Sequence, residues 1–311
     1  MAGFVAGYVR LMESGELKER ARQEGELLRQ CRVCPRRCGA NRLEGEKGVC
    51  RVGAETVVSS FGPHFGEESP LVGRGGSGTI FFTDCNLRCV FCQNAEISHG
   101  AQGEVTSVEA LASMMLRLQH QGCHNINLVS PTHQVPAILS ALAVAAERAL
   151  SIPIVYNTGG YDSVETLRLL DGVVDIYMPD CKYSDNQTAQ RLSGIKDYWD
   201  RNREALAEMH RQVGDLVCDE QGVAQRGLLV RHLVLPNGLA GTEKAMGFIA
   251  TLSRETYVNI MAQYRPCYRA MEFPELSRPI TAAEYARAVS AAREAGLGRF
   301  DERPRIVRAW L

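Results

Sequence analysis

From Gly78 onward, apolar residues recur in two alternating rhythms. Short continuous runs, Thr79-Ile80-Phe81-Phe82 and its counterparts at about 125–130, 153–156, 174–180, 228–235 and 256–261, have the length of strands buried on both faces. Between them, helical spacing predicts helices over about 107–121, 135–149, 162–171, 185–213 with breaks, and 242–254, with a last one at 282–295. Thr106 with Glu109, and Thr281 with Glu284, have capping-box spacing, and Pro136 suits a first helical turn. Six strand–helix repeats predict an α/β fold with a parallel sheet covered by helices. The pattern alone does not separate a barrel from a doubly wound sheet.

Upstream the pattern is weaker. Residues 1–30 are charged, with Val9, Leu11, Leu17, Leu27 and Leu28 as apolar points of one amphipathic helix that Gly15 and Gly25 weaken. Residues 51–77, with Gly62-Pro63, Gly66 and Gly73-Arg74-Gly75-Gly76, read as short strands and loops. The chain therefore divides into an N-terminal helix (1–30), a cysteine-bearing module with its linker (31–73) and an α/β domain (74–311).

Composition narrows the function classes. In 311 residues, 35 Lys and Arg balance 36 Asp and Glu, so nothing overall asks for nucleic acid or an anionic membrane surface. The longest apolar stretch, about 137–150, is broken by Glu147 and Arg148, and Met1 to Arg10 lacks the pattern of a signal peptide. Eleven cysteines in such a chain point to metal chemistry in a cytoplasmic protein rather than to disulfides.

Seven of those cysteines fall in two groups. Cys85, Cys89 and Cys92 lie at C-x3-C-x2-C spacing directly after the first strand. Three thiolates on one short loop can hold three corners of a cubic 4Fe-4S cluster and leave one iron open to a small molecule. Cys31, Cys34, Cys38 and Cys50, among Gly and Pro turn residues, make a complete four-sulfur site. Zinc fits its ligand count, and a second iron-sulfur cluster fits its crowding and its Cys-Pro step.

The run Cys85-Asn86-Leu87-Arg88-Cys89-Val90-Phe91-Cys92-Gln93-Asn94 resembles the cluster loop of the radical S-adenosylmethionine (SAM) superfamily, near the pyruvate formate-lyase activating enzyme. That resemblance implies a partial (β/α)6 TIM-like barrel with a small N-terminal cysteine-rich module. It also implies SAM as a cofactor, a one-electron donor such as flavodoxin or ferredoxin, and hydrogen abstraction from a glycyl radical enzyme. Two other readings stand beside it: a radical SAM enzyme acting on a small molecule or another peptide side chain, and a non-catalytic iron-sulfur electron carrier.

In a β/α barrel the site gathers at the C-terminal strand ends. After the first strand, Gln93 and Asn94 are candidates for the cluster surroundings or SAM. The second strand ends in Ser130-Pro131-Thr132-His133 where the family usually carries a Gly-Gly-Glu segment. Ser130 and Thr132 are candidate replacements, with His133 beside them. At the third and fourth ends the resemblance implies that Lys182 reaches the SAM carboxylate. It further implies that Asp180, with Asn157, Thr158 and Met178, binds a monovalent cation, although Asn157 stands where an acidic residue is usual. Gly159 and Gly160 permit close approach of a ligand to the backbone. The Arg231-His232 pair in the fifth strand resembles the strand whose histidine contacts SAM, which makes His232 a catalytic and cofactor-binding candidate with Lys182. Asn259, Gln263, Tyr264, Arg265 and Cys267 are candidates for the substrate side, and His64 reads as a solvated loop residue.

Overall fold

The computed structural model describes residues 4–301 apart from residue 101. Residues 1–3 of the predicted N-terminal helix and 302–311 of the predicted barrel lie outside that range. Instead of one helix the chain opens with two, Gly7–Glu13 (α1) and Glu16–Glu26 (α2). Gly15 between them takes φ 77°, a left-handed turn that a side chain would strain. Both helices are fastened down: Tyr8 and Leu17 are fully buried, and the Gly7 N–H donates to Asp175 Oδ1 at 2.9 Å.

Residues 56–64, predicted as short strands and loops, form one nine-residue strand, Thr56–His64 (β1). It pairs antiparallel with Ser77–Phe82 (β2) and on its other side with Glu104–Thr106 (β3). The short helix Ser69–Val72 (α3) lies between β1 and β2, and Ala95–Ser98 (α4) follows the cluster loop. Then come Val108–His120 (α5), Ile126–Val129 (β4), Val135–Glu147 (α6), Ile154–Thr158 (β5), Val164–Leu169 (α7) and Ile176–Pro179 (β6). Asn186–Ser193 (α8), Tyr198–Val213 (α9), Val217–Cys218 (β7), Ala224–Leu233 (β8), Thr242–Leu252 (α10), Tyr257–Met261 (β9), Ala282–Glu294 (α11) and Arg299–Phe300 (β10) complete the order. All six predicted strands are present. The Thr281–Glu284 capping box is formed, but the one predicted at Thr106 is not. Thr106 donates to the Glu104 carbonyl, and Ser107 instead caps α5 by accepting the Ala110 N–H.

The strands lie in the order β10-β9-β8-β6-β5-β4-β2-β1-β3, with β2 through β10 along this path all parallel. This is an α/β fold with a mostly parallel sheet, consistent with a partial barrel. The main core lies between its outer face and the covering helices, and includes Ile80, Leu128, Leu139, Leu228 and Val230. Inside the curve of the sheet a second cluster gathers Leu71, Val155, Ile176, Met178 and Leu229. Leu71 arrives there on the segment that follows β1. Glu68 on the same segment accepts from Asn259 Nδ2 of β9 at 2.8 Å, and Ser69 N–H donates to Asp301. The chain after β1 thus crosses to the opposite end of the sheet and plugs the interior, setting a floor below the strand ends.

Candidate active site

The strand ends enclose a cavity of about 390 Å3. Cys85, Cys89, Cys92, Gln93 and Asn94 line it from the loop after β2, and Ser130 from the end of β4. Asn157, Thr158 and Gly159 line it from β5, Asp180 and Lys182 from β6, and Arg231 and Leu233 from β8. Met261 and Gln263 complete the wall after β9, while His64 and Glu67 come up from the floor.

The cluster loop is gripped from several sides. Arg88 and Val90 N–H donate to the Ser193 and Leu192 carbonyls at the end of α8, and Arg269 N–H donates to the Val90 carbonyl. Phe91 meets Tyr183 and Tyr264 edge to face, at ring separations of 6.3 and 6.0 Å. Each sulfur has a polar neighbour: Leu87 N–H donates to Cys85 Sγ at 3.4 Å, Ser193 Oγ to Cys89 Sγ at 3.0 Å, and Ser98 Oγ lies 3.0 Å from Cys92 Sγ. Asp84, before the first cysteine, and Ser130 have φ of 62° and 57°. Such strain in non-glycine residues persists only where the surroundings enforce it.

Across the cavity runs a charge chain. Asp180 accepts from Lys182 Nζ at 2.5 Å and from Arg231 Nε at 2.9 Å, and Arg231 Nη2 donates to Asn157 Oδ1 at 2.7 Å. Burial alone would push Asp180 up, but Arg231 and Lys182 hold its carboxyl below the ordinary value. Burial likewise disfavours the Lys182 ammonium, and Asp180 more than restores it.

A model of the radical SAM superfamily matches residues 79–220, which hold the cluster loop and Lys182. An uncharacterized protein of Methanocaldococcus jannaschii is 35% identical over 280 residues, spanning 87% of this chain and 76% of that protein. The chain belongs to the radical SAM superfamily. Among solved structures, Streptococcus suis SuiB bound to precursor peptide SuiA aligns over 70% of this chain and 46% of that one, at 12% identity and a TM-score of 0.46. The chain thus spans about half the length of that protein.

Membership in the radical SAM superfamily implies a 4Fe-4S cluster, SAM, and cleavage of SAM at the cluster. The residues present fit that group. Burial pushes the Cys85 thiol up to about 12, so its thiolate form requires a cation beside it, and the Leu87 N–H and Ser193 hydroxyl aimed at the Cys85 and Cys89 sulfurs suit ligands of an iron-sulfur centre.

Several candidates are not brought to the cavity. His232 alternates with Arg231 along β8 and therefore faces the opposite side of the sheet. It is fully buried, with Nδ1 2.7 Å from the Cys181 carbonyl and Nε2 2.9 Å from Thr242 Oγ1. Arg231 takes the inward position that the resemblance gave to His232. Thr132 is turned the other way, donating to the buried Asp162, which also accepts from Tyr156 and Thr158. His133 lies 2.8 Å from the Thr83 carbonyl and supports the approach to the cluster loop from outside. The guanidinium of Arg231 fills the space between Asp180 and Asn157 where the resemblance put a monovalent cation. Gly160 is approached by protein, since a Cβ there would lie 2.0 Å from the Asp180 carbonyl, whereas Gly159 does line the cavity, with a Cβ there 2.5 Å from Leu87 Cδ1.

Two cavity residues and one sulfur partner escaped the sequence reading. His64 is exposed, as expected, but it ends β1 rather than sitting in a loop, lies 2.8 Å from Glu67 and lines the cavity. Glu67 is held below its ordinary value despite burial, by His64 and Arg231. No local pattern marks this pair, because only the crossing of the plug segment places it. Ser193 is 104 residues from its partner Cys89 in sequence, and nothing near it signals a sulfur partner.

The four N-terminal cysteines form a separate group against the outside of the cluster loop. Among the described residues no three Cys, His, Asp or Glu side chains are arranged around a single metal ion. No helix among them is long and apolar enough to cross a membrane.

Proposed function

We propose that Cys85, Cys89 and Cys92 hold the 4Fe-4S cluster of this radical SAM enzyme, that Lys182 takes the SAM carboxylate, and that the enzyme abstracts hydrogen from a glycine of a partner protein. When bound, the reduced cluster supplies the electron that splits SAM into methionine and a 5′-deoxyadenosyl radical. The chain's own groups bind and orient: Asp180 holds the Lys182 ammonium, Ser130 and Asn157 offer polar atoms to the rest of the cofactor, and Thr158, whose hydroxyl is committed to Asp162, holds the wall of the cavity. The observation that carries the reading is that the three-cysteine loop and the Lys182–Asp180–Arg231 chain share one cavity. A flavodoxin or ferredoxin is the proposed electron donor.

The floor favours a second reading for the hydrogen donor. A backbone glycine offers no charge, whereas His64, Glu67 and Arg231 make the floor strongly polar. A small polar molecule or a polar peptide side chain would match it.

The test is 5′-deoxyadenosine formation by anaerobically reconstituted, dithionite-reduced protein beside a Cys85, Cys89 and Cys92 to Ala variant. Product from the first and none from the second supports SAM cleavage; product from both, or from neither with an intact cluster, removes it. A glycyl-radical EPR signal in a candidate partner then separates the two hydrogen donors.

A further inference from the structure

Residues 29–51 depart from the charge balance of the chain, with seven Arg or Lys against two Glu. Arg29, Arg32, Arg37, Lys47 and Arg51 are exposed, as is Cys38, while Cys31, Cys34 and Cys50 are buried. The segment folds back on itself around the four cysteines: Cys31 N–H donates to the Ala40 carbonyl, Gly39 N–H to the Cys31 carbonyl, Arg37 N–H to the Cys34 carbonyl, and Arg51 N–H, beside Cys50, to the Gly48 carbonyl. Cys38 Sγ lies so close to the Gly48 backbone that a Cβ there would be 2.5 Å away.

Two features tie this group to the catalytic loop. Seven non-glycine residues among the described ones have positive φ, and three flank a candidate ligand: Arg37 before Cys38, Arg51 after Cys50, and Asp84 before Cys85. The two sites also touch. Arg36, midway between Cys34 and Cys38, donates through Nε to the Asn86 carbonyl at 2.6 Å, and Asn86 follows Cys85. Arg88, beside Cys89, donates to the Val49 carbonyl next to Cys50. Asn86 Nδ2 donates in turn to the Tyr161 carbonyl at 2.8 Å.

We propose that Cys31, Cys34, Cys38 and Cys50 hold a second iron-sulfur cluster that relays electrons to the catalytic one. A structural zinc would explain four cysteines, but not why their loop is fastened to residues adjoining Cys85 and Cys89. Four cysteines close the site, so it carries electrons and binds no substrate. The exposed Arg32, Lys47 and Arg51 around it offset the charge of a four-thiolate cluster and suit an acidic one-electron carrier. The carrier gives up one electron and reduces the N-terminal cluster. That electron crosses to the catalytic cluster, which returns the first to its oxidised state, and leaves on SAM as the carbon–sulfur bond breaks. No proton moves.

The relay rests on the proposed catalytic site, and the test keeps the two apart. Protein reconstituted anaerobically with iron, sulfide and zinc all present should hold about eight irons per chain, two cubanes. The Cys85, Cys89 and Cys92 to Ala variant should keep about four and show a reducible cluster by EPR. A Cys34→Ala, Cys38→Ala variant should keep about four whose signal shifts on adding SAM. About four irons in the wild type, with one zinc that persists in the triple variant, overturns the proposal even if the double variant does not fold. After mixing with a reduced plant-type ferredoxin, freeze-quenched samples should show the N-terminal signal before the catalytic one, and the reverse order overturns the relay. If the iron counts hold while the wild type forms no 5′-deoxyadenosine, the catalytic reading fails and the second cluster stands.

Discussion

Arg231 and Asn157 meet across β6, with Nη2 2.7 Å from Oδ1, while Nε of the same guanidinium lies 2.9 Å from Asp180. One planar cation thus ties together the ends of three strands, which an ammonium cannot do with the same fork. Arg231→Met leaves Asp180 with Lys182 as its sole counter-charge and draws that ammonium away from SAM. Loss of a hydrogen bond to a charged group is worth about 1.5–3 kcal/mol, so SAM cleavage should fall roughly 10- to 100-fold. Arg231→Lys should recover only part of it. Equal rates in wild type and Arg231→Met would remove Arg231 from the site.

The same guanidinium predicts indifference to monovalent cations. Both Asp180 oxygens and the Asn157 oxygen are already satisfied from within the chain. Replacing sodium and potassium by choline should leave the SAM dependence of 5′-deoxyadenosine formation unchanged. A rise in the KM for SAM on their removal would show that a cation competes with Arg231 for these oxygens.

Lys182→Met separates cofactor binding from cluster assembly. Lys182 lies in the cavity but donates to none of the three sulfurs, so iron content should stay at the wild-type value while the KM for SAM rises about tenfold or more, the effect of one charge-assisted hydrogen bond. Loss of iron in this variant would mean that the lysine supports the cluster loop instead.

These residues also mark how far the sequence could be read. The six parallel strands were legible because apolar runs buried on two faces stand out, and the three-cysteine loop because its spacing is chemical rather than structural. In β8 the period of two was visible, but apolar Leu228, Leu229 and Val230 precede Arg231-His232, so the pattern gave no face. The deciding fact was Asp180 on the neighbouring strand, which pairs with a charge that could not otherwise be buried. The floor was illegible for another reason. His64 and Glu67 reach the cavity only because Leu71 carries their segment into the interior, a long-range packing event with no local periodicity.

Ser193 gives a test of how the loop's surroundings tune the cluster. Its hydroxyl, 3.0 Å from Cys89 Sγ, favours the more negative, reduced state, since hydrogen bonds to the sulfurs raise the potential of such centres. Ser193→Ala should therefore shift the midpoint of the SAM-responsive EPR signal to a more negative value with iron content unchanged. Ser98, whose proton goes to the Asn94 carbonyl, is the control, and Ser98→Ala should shift the midpoint less. An unmoved midpoint in Ser193→Ala would show that its hydroxyl is a spectator.

Acid lability follows from two buried rings. Burial pushes His133 and His232 down from 6.5 to about 4, with the Thr83 and Cys181 carbonyls working weakly the other way. Between those values the unfolded chain takes a proton that the folded chain refuses. The stability these neutral rings provide is complete above pH 6.5 and is lost as the pH falls toward 4. At about 1.4 kcal/mol per pKa unit, each ring accounts for roughly 3 kcal/mol at the bottom of that window. Asp175 acts in the opposite sense. Burial raises it to about 6, so the folded state takes its proton first and gains stability as the pH drops from about 6 to below the ordinary value of 3.8. His232→Gln removes one ring's share and leaves Asp175 in place, so the urea midpoint of the anaerobic protein should fall less between pH 7 and 5 in the variant than in the wild type. Parallel falls would mean that the ring is protonated within the fold, and the 2.9 Å contact with Thr242 would then be a donation from a charged imidazole.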